Sequence, residues 1–130
     1  MNMSLPNKTA GAPHVMAAVN DLFLRSKITA VAQAAKVDLN VFGDFNRLRA
    51  QLSDTPALVL INLGELSPQD VPLLAELLQA GHRVIGFLSH VEVDLARVAR
   101  ATGCEVMPRS QFFERLPEIL LEHANAGAGH

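Results

Sequence analysis

The sequence predicts a doubly wound α/β domain, a five-stranded parallel sheet with helices on both faces. Three observations carry that prediction. Short apolar runs alternate with longer segments whose apolar residues recur at helical spacing, five times between residues 14 and 123. One run, residues 57–63 (ALVLINL), is interrupted only by Asn62, which suits a central strand covered on both faces. A chain of 130 residues with 49% hydrophobic content fills one core and leaves little room for a second domain.

Residues 14–19 (HVMAAV) read as the first strand. Residues 22–35 repeat Leu24, Ile28, Val31, Ala32 and Ala35 at helical spacing, and Asp21 stands where an N-cap carboxylate would hold the first free amides. Residues 38–42 alternate as a strand near an edge does, and 45–52 form a short helix with Asp44 as candidate cap. After strand three at 57–63, Ser67 and Pro68 introduce a helix over 69–79, which Gly81 stops. Residues 83–88 (RVIGFL) are strand four, 91–101 a helix closed by Gly103, and 104–107 (CEVM) a short strand five. Ser110 caps a last helix over 111–123, in which Pro117 is expected to cause a bend or an interruption. The ends, 1–12 and 124–130, are small-residue and Gly-bearing, and are expected to be flexible tails around a domain at 13–123.

Composition narrows the function classes. The net charge is −2 with no long run of one sign, so no electrostatic case exists for nucleic acid or an anionic membrane. Trp and Tyr are absent, which removes the usual base-stacking platforms. Charged residues make up only 18%, low for a fully solvated surface, so part of it is expected to be covered by a partner protein or a second copy. The single cysteine, Cys104, excludes an internal disulfide and reads as a small core residue; a redox thiol there would need exposure and a lowered pKa. No apolar run resembles a signal peptide or reaches membrane-spanning length, and the expected location is cytoplasmic.

Motifs for common chemistries are missing. The turn after strand one is Asn20-Asp21-Leu22-Phe23, bulky and acidic, with none of the glycines that let a backbone cradle phosphate. The histidines, His82 and His90 among them, lack metal-ligand spacing, and no metal or cofactor is expected. Ser89 and His90 are sequence neighbours without a G-x-S-x-G elbow, which argues against a nucleophile and its base. The expectation is a non-enzyme.

Open parallel sheets place their sites beyond the carboxyl ends of the strands. Four of the five strand ends carry polar residues: Asn20 and Asp21, Asn62, Ser89 and His90, and Pro108-Arg109. Polar residues also end strands for no functional reason. The particular residues add more. VND at 19–21, LVLINL at 58–63, VIGFLSH at 84–90 and PRS at 108–110 give the chain a resemblance to the response-regulator receiver family of two-component signalling, over nearly all of 13–123. The resemblance implies a flavodoxin-like fold with strand order 2-1-3-4-5. It also implies a site in which acids after strand one hold magnesium, an aspartate ending strand three takes the phosphoryl group, and a hydroxyl and a lysine contact the phosphate.

Carried over position by position, Asn20 and Asp21 match the acidic pair with one acid lost. Asn62 matches the phosphoacceptor, Ser89 the hydroxyl and Arg109 the lysine. An amide is too weak a nucleophile to take a phosphoryl group and brings no charge for magnesium. The resemblance is therefore to a pseudo-receiver, acting by protein contact without aspartyl phosphorylation. Asn62 then mimics one receiver state or simply bonds loop backbone. Asp21 caps a helix or retains a cation. Arg109 pairs with Asp21 or is solvated.

In receivers the fourth helix, fifth strand and fifth helix form the usual dimer and output face. By resemblance the partner, whether kinase, output protein or second copy, is expected on Val91, Asp94, Arg97 and Arg100 of one helix and on Phe112, Phe113 and Leu116 of the other. Asp94 and Arg97 are spaced to face each other. Two other readings stand beside this one: a small-molecule sensor using the crevice at the strand ends, favoured by a deep apolar pocket there, and a working receiver that uses Asp21 as acceptor.

Overall fold

The computed structural model describes residues 14–89 and 91–128. Ten elements alternate: β1 (His14–Ala18), α1 (Leu22–Ala34), β2 (Asn40–Phe42), α2 (Phe45–Gln51), β3 (Ala57–Asn62), α3 (Leu73–Gln79), β4 (Arg83–Leu88), α4 (Val93–Ala101), β5 (Glu105–Pro108) and α5 (Arg109–Ala128). The five strands form one parallel sheet in the order β2-β1-β3-β4-β5, a flavodoxin-like α/β fold. The register sets Ala18 beside Ile61 and Asn62 beside Phe87, so the ends of β1, β3 and β4 share one edge.

The apolar pattern sorts the layers. Every residue of β3 is buried, as its unbroken run predicts. On one face Leu24, Ile28 and Ala32 of α1 and Phe112, Leu116, Ile119 and Leu120 of α5 close over Val15, Leu58, Leu60 and Ile85. Here the Phe87 and Phe112 rings stack at 4.4 Å. On the other face α2, α3 and α4 bring Phe45, Leu48, Leu74, Leu77, Ala96 and Ala99 onto Val59, Ile61 and Val84. Gly86 in β4 belongs where it is: a Cβ there would meet Cδ1 of the fully buried Leu63 at 2.6 Å.

Several boundaries depart from expectation for identifiable reasons. The helix expected over 69–79 is divided, with a 3-10 turn at Pro68–Asp70 before α3. Pro72 has no N–H to continue the ladder, and the chain passes it through i→i+3 bonds, Leu74 to Val71 and Ala75 to Pro72. Ser110 does not cap α5, which already begins at Arg109. Pro117 does not interrupt it either. Pro117 is exposed and lies inside the continuous helix. The helix continues to Ala128, so 124–128 is helix and not the tail expected at 124–130. The tail expected at 1–12 lies outside the described residues. Gly81 and Gly103 take the left-handed backbone, φ 100° and 99°, that stops α3 and α4 as their positions predict.

Candidate functional site

Asn62 ends the central strand at 6% exposure, and its Oδ1 accepts from the Gly64 N–H at 3.3 Å. It thereby caps the 3-10 turn at Leu63–Glu65. Asp21 caps α1 as its position predicts, its Oδ1 accepting from the Leu24 N–H at 3.0 Å. Two carboxylates that sequence reasoning did not single out complete the edge. Glu65 reaches from the β3–α3 loop to the β1–α1 loop, its Oε1 accepting from the Asn20 N–H at 2.8 Å and its Oε2 from the Asp21 N–H at 3.0 Å. Glu92 accepts from the Ser89 N–H at 3.3 Å, and Ser89 Oγ accepts from the Val91 N–H at 3.5 Å. The Glu92 carboxylate lies against Gly64: a Cβ on Gly64 would be 3.4 Å from its Oε2 and 3.6 Å from Asn62 Oδ1.

Asn20, Asn62 and Glu65 thus share a cleft of about 210 Å³ that Ala18, Asp44 and Phe45 also line, and Asp21 is tied to it through its N–H bond to Glu65. The cleft is small and mixed, polar and apolar in about equal measure, where a ligand pocket runs roughly 300–1,000 Å³ and is mostly apolar. It is not the deep apolar pocket that a small-molecule sensor calls for. Arg109 is exposed at the first turn of α5 and, among the described residues, pairs with neither Asp21 nor any other acid. His90 lies outside the described residues. Among those residues no group of three or more His, Cys, Asp or Glu side chains is placed to hold a metal ion.

Chemically, this edge spends its carboxylates on backbone amides. Each such bond fixes a loop, and each leaves an oxygen less free to ligate a cation. An incoming phosphate would meet Glu65 and Glu92 with no paired cation among the described residues and a neutral amide in place of a nucleophile.

The expected interaction face divides. Val91 is 71% exposed, Asp94 and Arg97 pair at 3.0 Å on the surface of α4, and Arg100 Nη2 donates to the Val106 carbonyl at 3.4 Å. Phe112 and Leu116, however, are fully buried and offer no surface, because they supply the core of the α1–α5 layer. Phe113 is half-buried on that same side, with Lys27 Nζ 4.3 Å from its ring centroid. Cys104 is buried, and burial pushes its thiol up to about 12, the opposite of a redox sensor.

No family model, curated protein or solved structure matches the chain. No helix among the described residues is long and apolar enough to cross a membrane.

The signals for the missed glutamates are local. Asn62–Glu65 and Ser89–Glu92 both repeat the polar-x-x-acid spacing of a capping box at a strand end. In Ser89–Glu92 the acid returns to the first residue's own N–H, as in that motif. In Asn62–Glu65 it reaches a loop 44 and 45 residues away, which no local pattern encodes.

Proposed function

We propose that the chain is a receiver-like signalling module of two-component type, a pseudo-receiver that acts by docking to another protein without taking a phosphoryl group at Asn62. The observation that carries this reading is the state of the central strand end. Asn62 is engaged with Gly64, and the acids around it, Asp21, Glu65 and Glu92, are each bonded to backbone amides. The loops that phosphate and magnesium would organise in a working site are here organised by the chain itself. The docking surface of this reading is the exposed side of α4 and the turn before it, where Val91, Val93 and Val98 lie near the exposed Asp94–Arg97 pair. Exposed apolar groups interspersed with charge are a surface a protein partner can cover.

Incubation with magnesium and acetyl phosphate, read by intact mass, tests the reading. The expected result is an unchanged mass. One added phosphoryl group overturns it, and peptide mapping then separates an acceptor at Asp21 from any other.

A further inference from the structure

We propose that the outer surface of α1 and α5 is the interface of a two-fold symmetric homodimer in which Lys27 of each copy meets Glu114 of the other. This inference does not depend on the signalling reading. It starts from where the surface lacks charge. On α1, the outward positions Phe23, Lys27, Ala30 and Ala34 follow one another at i, i+4, i+7 and i+11 spacing and carry one charge. On α5, Phe113, Glu114, Pro117 and Leu121 form the matching stripe, again with one charge, of opposite sign. The far side of α5 is the contrast: Gln111, Arg115, Glu118 and Glu122 are polar throughout, and Arg115 pairs with Glu118 at 3.4 Å.

The stripe is more apolar than its solvent exposure warrants. Phe23 is 71% and Leu121 50% exposed. Between the helices runs an open groove lined by Lys27, Ala30, Val31, Ser110, Phe113 and Glu114. Neither of its charges has an ionic partner among the described residues. Lys27 instead lies over the Phe113 ring at 4.3 Å and the Phe23 ring at 5.6 Å.

Charge complementarity picks the occupant. A two-fold interface requires one patch to complement itself, with residue i meeting j and j meeting i. A patch holding one unpaired cation and one unpaired acid around aromatic groups meets that requirement. An acidic or basic partner would leave one of the two charges opposed. Small residues on α1 permit close helix approach, and its 13 residues give about 20 Å of contact length.

Sedimentation equilibrium on the full chain, over concentrations reaching the high micromolar range, tests the proposal. The wild-type chain is expected to dimerise. Lys27→Glu and Glu114→Lys each set like charges across the interface twice, and each is expected to weaken dimerisation at least about tenfold. Mixing the two single variants pairs opposite charges again at both contacts, and a heterodimer of near wild-type affinity is expected. The double variant is expected to recover likewise. Both side chains are surface groups, and thermal unfolding verifies that each variant stays folded. A wild-type chain that stays monomeric overturns the proposal and leaves the stripe to a different protein. A dimer indifferent to the single changes, or single variants that mixing fails to rescue, overturns it equally, since a pair within one chain is not repaired by a second copy.

Discussion

At the carboxyl edge of the sheet, carboxylates are tied to backbone amides; at the amino edge, charged side chains are tied to each other. Glu65 and Glu92 accept from loop N–H groups and Asp21 from the first turn of α1. At the other edge Arg83 holds Glu105 through two bonds of 2.8 and 3.2 Å and reaches Glu122 at 3.4 Å. Beside it His82 Nδ1 accepts from the Ala57 N–H at 3.1 Å. Bonds to the backbone fix where a loop runs. Bonds between exposed side chains exchange readily with water and salt. The carboxyl edge should therefore answer to changes of geometry, and the amino edge to pH and ionic strength.

The largest effect is expected from Asn62→Asp, which adds an uncompensated carboxylate at a buried position near Glu65 and Glu92. Chemical denaturation at neutral pH should show a loss of about 3 kcal/mol. Magnesium should restore part of that loss in the variant and leave the wild-type chain unchanged, because only the variant adds a ligand charge.

Next comes the amino edge under acid. Burial holds His82 below its ordinary value of 6.5, and burial lowers His123 as well. The unfolded chain then takes up protons below 6.5 that the folded chain refuses. Stability is complete above that value and falls as the pH drops through it toward the folded values. Denaturation midpoints between pH 7 and 5 should decline, and His82→Gln should flatten part of the slope while His123 keeps the rest. At constant neutral pH, His82→Ala leaves the buried Ala57 N–H unmet and should cost about 2 kcal/mol.

Glu65→Ala separates the edges most directly. Its stability cost should be near 1 kcal/mol, since the bonds it loses are exposed. Hydrogen exchange at the Asn20 and Asp21 amides should nonetheless accelerate at least about tenfold, with the Ala57 amide unmoved. The smallest effect belongs to Arg83→Ala, below about 1 kcal/mol, and it should fade further at roughly 1 M salt. If salt instead weakens the Asn20 and Asp21 amides and spares Arg83, the contrast between the edges collapses.

Much of this architecture is legible in the residues. β4 occupies the predicted range, the alternation gives all five strands, and the caps at Asp21 and Asp44 lie where their carboxylates were expected. These features depend on neighbours within a few residues. What escaped reading depends on distant ones. The Glu65 bridge joins loops that only the folded sheet brings together. The burial of Phe112 and Leu116 does follow the i, i+4, i+7 and i+8 spacing they share with Ile119 and Leu120, which aims them at the sheet rather than at a partner. Pro72 and Pro117 are both helix breakers by type, yet Pro72 stands at the N-cap of α3, where no preceding turn calls for its N–H, and Pro117 lies inside α5, which continues past it.

The buried cysteine has a practical corollary. With its thiol raised to about 12 and shielded by Val84 and the strand around it, Cys104 is nearly all protonated at neutral pH and closed to alkylating reagents. A maleimide is therefore expected to leave the folded chain unlabelled. A single Ala30→Cys change on the outer face of α1 would then be the one reactive thiol, already placed to carry a spin label or a cross-link between two copies.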